Sequence, residues 1–104
     1  MNYSKVVLIL GVDDYSLLGE ALEKLSIPGV SVSKLRGYGK YFNEYSSTGL
    51  SDSIKVETYC ESSQAESIAE ALAQLAAELT ETGGIVAIEP VSRLYNLRAP
   101  ARDA

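Results

Sequence analysis

Arg36, Gly37, Tyr38, Gly39 and Lys40 stand consecutively in the chain. Two cations around a Gly-aromatic-Gly corner can cradle a phosphate, because glycine lets backbone N–H groups approach an oxyanion and the cations meet its charge. The same run, continued by Tyr41 and Phe42, can instead open the inner strand of an RNA-binding sheet, where ring faces stack on bases. Other chemistries are closed by composition. Histidine is absent and Cys60 is the single cysteine, which removes most zinc sites, the Cys-His and Ser-His nucleophile pairs and the commonest general base. A lone cysteine forms no internal disulfide, so a reducing compartment is expected.

Charge favours the small-anion reading. The net charge is −5 and the pI about 4.6, the wrong sign for an ordinary nucleic-acid binder. The bases are local: Lys34, Arg36 and Lys40 form one cluster, Arg93, Arg98 and Arg102 another, and no Lys or Arg lies between Val56 and Ser92. Two basic clusters on an acidic chain suit a small anion better than a long polyanion. Taken singly, each cluster reads equally well as solvated surface charge.

The elements that must position these residues follow from periodicity. "KVVLILG" (5–11) reads as a strand apolar on both faces, and Leu17, Leu18, Ala21, Leu22 and Leu25 make a helical stripe after it, ended by Pro28-Gly29. Val30 and Val32 alternate with Ser31 and Ser33, and Ile54, Val56 and Thr58 alternate with Lys55, Glu57 and Tyr59, as half-buried strands do. Ala65, Ile68, Ala69, Leu72, Leu75, Ala76 and Leu79 repeat at helical spacing behind a candidate capping box of Ser63 and Glu66. Thr82-Gly83-Gly84 ends that helix and "IVAIEP" begins a last strand.

The order predicts an α+β, ferredoxin-like βαββαβ sandwich, an antiparallel sheet with two helices on one face. One domain over 1–98 and a mobile tail over 99–104 are expected. The bare face of a doubly apolar first strand needs a cover, for which self-association is the simplest source. No apolar run approaches the roughly 20 residues of a membrane span, and the opening "MNYSKVVLIL" shows no small-residue cleavage site, so a cytoplasmic location is expected.

RNA binding fails on particulars. The first strand carries no aromatic, the residues after Gly39 do not alternate as a stacking strand would, and "IKVETYC" intervenes between the corner and the second helix. What remains is a loop from Gly37 to Ser53 that holds Tyr38, Tyr41, Phe42 and Tyr45, half of the eight aromatics. A loop of that length and composition closes over a ligand or docks on a partner.

"IPGVSVSKLRGYGK" (27–40), "IKVE" and "TGGIVAIEPVSRLYNLR" resemble, in this order, the second strand, the strand leaving the T-loop, and the second phosphate loop with the closing strand of the PII signal-transduction proteins. The resemblance runs from about Lys5 to Arg98. It implies a homotrimer binding adenine nucleotide between subunits. Gly37, Tyr38, Gly39 and Lys40 would line the phosphate side. Ser31 and Tyr59 would approach the adenosine, Gly83 and Gly84 would form the second phosphate loop, and Arg98, on the closing strand, would reach phosphate across a subunit boundary. Tyr41, Phe42, Tyr45, Ser47, Thr48 and Gly49 would belong to the partner-binding T-loop.

Departures refine this. Glycine stands where PII nitrogen regulators carry a phosphate-gripping lysine, Asn96 replaces one of two arginines, and Tyr41 replaces a glutamine linked to Mg-ATP and 2-oxoglutarate. ADP or AMP is therefore expected over ATP, and Gly84→Lys is expected to move preference toward ATP. The second loop and Ser47-Thr48-Gly49 are similar to the PII-like branch associated with inorganic-carbon uptake and carboxysomes. That branch implies a regulatory, non-enzymatic role, bicarbonate as a further ligand, and a membrane bicarbonate transporter or carbon-concentrating protein as partner. The alternatives are a nitrogen regulator binding ATP and 2-oxoglutarate, an acylphosphatase-like enzyme and a CutA-like metal-tolerance trimer. "GVDDYS" offers aspartates where the acylphosphatase cradle needs arginine, and the missing histidines argue against soft-metal binding. No metal ligand set and no resident cofactor are expected.

Overall fold

The computed structural model describes residues 2–11, 15–38, 51–80 and 84–98. Its elements run β1 (Tyr3–Leu10), α1 (Tyr15–Glu23), β2 (Ser31–Gly37), β3 (Ser51–Glu61), α2 (Ser62–Leu79) and β4 (Gly84–Val91). The strands form one antiparallel sheet in the order β2-β3-β1-β4. The expected ferredoxin-like βαββαβ arrangement is what the chain adopts.

Strand alternation divides the sheet into two chemically different faces. Val6, Leu8 and Leu10 of β1, with Ile54, Val56 and Cys60 of β3, point to the helices and meet Leu18 and Leu22 of α1 and Ala65, Ile68, Leu72 and Leu75 of α2. Each fully buried Leu or Ile there contributes about 1.5–3 kcal/mol. Leu17, expected in the stripe, is 55% exposed instead. α1 ends at Glu23, well before Pro28-Gly29.

The opposite face is less apolar than β1 read alone suggests. Val7 and Ile9 lie on it, but so do Lys5, Lys55, Glu57 and Glu89. Glu57 receives Lys5 on one carboxylate oxygen at 3.1 Å and Lys55 on the other at 3.6 Å, and Lys5 also approaches Glu89 at 4.0 Å. The hydrogen bond from Lys5 holds the Glu57 carboxyl below the usual carboxylate range, and the same bond raises the Lys5 ammonium. Val7 is buried in the single chain. Sequence periodicity could not show this, because the cover comes from neighbouring strands.

The start of α2 also differs from expectation. β3 runs to Glu61, which is itself the helix N-cap, and no side chain caps the helix, so the Ser63–Glu66 box does not form. The first helical N–H, that of Ser62, donates to the Asn2 carbonyl at 2.9 Å, while Ser62 Oγ and Ser4 Oγ share a 2.7 Å hydrogen bond. Contact with β1 does the work of a cap.

Candidate functional site

β2 ends in Gly37 because β3 begins opposite it at Ser51. The strand pair is thus closed for three residues, Ser51–Ser53, that sequence reasoning assigned to the loop. Arg36 and Asp52 face each other across that closure, with Arg36 Nε donating to Asp52 Oδ1 at 3.0 Å. Both side chains are exposed. Arg36 is therefore paired with Asp52 where β2 and β3 end their pairing. Tyr38 follows with its ring 72% exposed, available to a ligand or partner.

Gly84 opens β4. Leu10 is its partner, Ile54 is the partner of Leu10, and Lys34 the partner of Ile54, so one row crosses the whole sheet from Gly84 to Lys34. Gly37 and Gly84 consequently occupy the same end of the sheet but opposite edges. Three strand spacings separate those edges, about 14 Å. One phosphate group cannot touch both within a single chain.

The glycine at 84 has a local reason. A Cβ built there would collide with the Ile9 carbonyl oxygen and lie 3.1 Å from Leu10 Cα, and the residue's φ is 158°. Gly84→Lys, expected from the sequence to alter nucleotide preference, would therefore disrupt the β1–β4 pairing first. Beside Gly84 lies a cavity of about 280 Å³ between α2 and β4, walled by Leu8, Ala73, Ala76, Ala77, Ile85 and Val86. That lining is apolar and does not suit phosphate. Thr80 closes the same end by donating its hydroxyl to the Gly11 carbonyl at 3.5 Å.

Ser31 and Tyr59 lie on the charged face of the sheet, toward the end opposite Gly37. Ser31 pairs with Glu57, two residues before Tyr59, and the Tyr59 ring is 53% exposed. Ser31 and Gly37 are the two ends of β2, about 20 Å apart at the usual strand rise. A ligand using both must be elongated.

Arg98 is not on the closing strand. β4 ends at Val91, and Arg98 sits in the exposed segment beyond it, its backbone N–H donating to Asn96 Oδ1 at 3.0 Å. Asn96 thus uses its side-chain oxygen to shape a local turn. Tyr95 and Leu97 beside it are 68% and 88% exposed. Gly39, Lys40, Tyr41, Phe42, Tyr45, Ser47, Thr48, Gly49 and Gly83 lie outside the described residues.

Two residues went unrecognised in the sequence. Asp52 gains its role only through the strand register. Thr58 announced itself more openly, as a hydroxyl at a position where Ile54 and Val56 are core; it is 3% exposed and donates to the Gly29 carbonyl at 2.5 Å.

The chain is thus a ferredoxin-like βαββαβ sheet with Gly37 and Gly84 at one end and exposed residues along an edge strand. Comparison with known proteins gives the family. Residues 3–100 match the family model described as "Nitrogen regulatory protein P-II", and the chain belongs to that PII family. Among solved structures, a PII protein of Arabidopsis thaliana bound to citrate is 26% identical, with a TM-score of 0.72 over 95% of this chain and 86% of that one. The GlnK–ATP complex of B. subtilis shares the fold at 15% identity and TM-score 0.72, over 95% of this chain and 92% of that one. A search of curated protein sequences found no significant match.

Proposed function

We propose that the chain works as a homotrimeric, non-enzymatic PII-like sensor that binds ADP or AMP in clefts between copies and signals through the loop after Tyr38. The separation of Gly37 and Gly84 carries this reading: they share one end of the sheet but stand on opposite edges. Placing the β4 edge of one copy beside the β2 edge of the next reunites them. Such a head-to-tail contact gives a ring when the rotation between copies closes, as the proposed trimer requires. The ligand then runs along β2, with its base near Ser31 and Tyr59 and its phosphates toward Gly37, Gly39 and Lys40. Gly83 and Gly84 meet the phosphates from the adjoining copy, and Arg98 reaches them from an exposed segment.

Preference for ADP or AMP over ATP follows from the missing cations. Glycine at 83 and 84 supplies no lysine, and Asn96 is engaged with the Arg98 N–H. Each lost charged hydrogen bond removes about 1.5–3 kcal/mol from triphosphate binding. Tyr41 in place of glutamine, and Ser47-Thr48-Gly49, support the inorganic-carbon branch. On that reading bicarbonate is a further ligand, a membrane bicarbonate transporter or carbon-concentrating protein is the partner, and the location is cytoplasmic. The description of the matching family favours a second reading, a nitrogen regulator responding to ATP and 2-oxoglutarate.

Calorimetric titration with AMP, ADP and ATP, each with and without bicarbonate or 2-oxoglutarate, separates the two. Tighter ADP or AMP binding, unaffected by 2-oxoglutarate, is the expected result. ATP binding that strengthens with 2-oxoglutarate would establish the nitrogen-regulator reading instead, and light scattering that shows a monomer would remove the inter-copy site.

A further inference from the structure

We propose that Thr58 is a positioning residue for the base-and-ribose end of the nucleotide site, acting through the carbonyl of Gly29. This rests on the nucleotide reading above. Thr58 faces the helices, opposite Val6, at a core position where valine or isoleucine would pack as well. A hydroxyl there is costly unless it is hydrogen-bonded. Its partner, Gly29, lies in the turn between α1 and β2, outside the strand ladder, which begins only at Ser31 and Glu57.

Continuing the register outward would set Gly29 opposite Tyr59, but no backbone pair forms there. The Thr58 side chain makes the connection instead. The bond pins the chain two residues before Ser31 and starts one residue before Tyr59. The hydroxyl thus adds a tie beyond the end of the ladder, between the two segments that carry the residues assigned to the nucleoside. Gly29 adds to the arrangement, because nothing lies within 4 Å of where its Cβ would be, so the turn presents bare backbone to open space. Thr58 itself, being buried, touches no ligand.

The test compares ADP affinity in wild type, Thr58→Ser, Thr58→Val and Thr58→Ala, with melting measured on each. Valine keeps the volume and removes the hydroxyl, whereas serine and alanine both lack the methyl and differ in the hydroxyl alone. Should the valine variant fail to fold, the serine and alanine pair carries the same comparison. ADP affinity should sort by the hydroxyl, with serine within about twofold of wild type and the valine and alanine variants about tenfold weaker. Affinities that sort instead by side-chain volume or by melting temperature would reduce Thr58 to a core residue and overturn the proposal. Wild-type protein that binds no ADP would overturn the nucleotide reading and this inference together. Wild-type protein that binds ADP no better than the valine variant would overturn this inference alone.

Discussion

Replacing Gly84 by alanine should weaken the fold sharply. The added methyl group would collide with the Ile9 carbonyl oxygen, with Leu10 Cα at 3.1 Å and the Ile9 carbonyl carbon at 3.2 Å leaving little room to move aside. All three neighbours are backbone atoms of the central strand, so relief requires the end of β4 to separate from β1. Backbone strain of this kind costs about 1–3 kcal/mol, and losing the terminal ladder hydrogen bond adds about 1 kcal/mol. A total of roughly 2–4 kcal/mol corresponds to about 10–20 °C in melting temperature for a domain of this size. Gly19→Ala is the control, since Gly19 lies exposed within α1 and nothing lies within 4 Å of its Cβ position. It should stabilise the protein by about 0.5–1 kcal/mol through helix propensity. Thermal and urea unfolding of both variants at one protein concentration reads the contrast. If Gly84→Ala melts within a degree or two of wild type, the close approach of β4 to β1 is wrong, and Gly84 becomes a ligand-facing glycine with no structural duty.

Arg98→Ala should leave ligand-free melting within about 0.5 kcal/mol, as exposed substitutions do, yet lower ADP affinity about ten- to hundredfold through lost charged hydrogen bonds; equal affinities in calorimetry would remove Arg98 from the site. The pH response of the Lys5–Glu57 pair has a definite sign. Glu57 is depressed by its bond to Lys5, so its stabilising effect is present above the usual carboxylate range and lost as pH falls through its lowered folded value. Lys5 is raised, so its contribution is fully present below the usual lysine value and is lost as pH rises from there through its raised folded value. Carboxyl NMR titration should find Glu57 below the usual glutamate value, and Lys5→Met should move it upward; no movement would mean that the pair does not form in solution. Cys60 is buried and its thiol is pushed up by desolvation, so thiol reagents should label it at a rate set by unfolding. Rapid labelling of the native protein would contradict that burial.

Much of the fold was legible because helix and strand periods are local. The α2 stripe from Ala65 to Leu75 and the alternation of Ile54, Val56 and Thr58 with Lys55, Glu57 and Tyr59 both survive in three dimensions. What failed depended on contacts distant in sequence. The Ser63–Glu66 cap is displaced because Ser62 bonds to Asn2 and Ser4, at the far end of the sequence. Likewise, the open face of β1 looked bare until the register placed Glu57 beside Lys5. The glycines of the candidate site could be picked out because their spacing is a local signal, whereas the placement of Gly37 and Gly84 on opposite edges of the sheet could not. Arg36 illustrates the limit: its type and place suggested phosphate, and only strand pairing revealed Asp52 beside it.

The direct passage of β3 into α2 has a geometric consequence. The 11-residue strand and 18-residue helix follow one another without an intervening turn, and the joint is bonded to β1 through Ser62. The path leaves the base of the loop at Ser51, reverses at Glu61 and returns to Thr80 near Gly84. Both of its ends lie at the same end of the sheet. The stretch from Ser51 to Leu79 thus holds no irregular segment, and its two termini stand beside the two glycine segments.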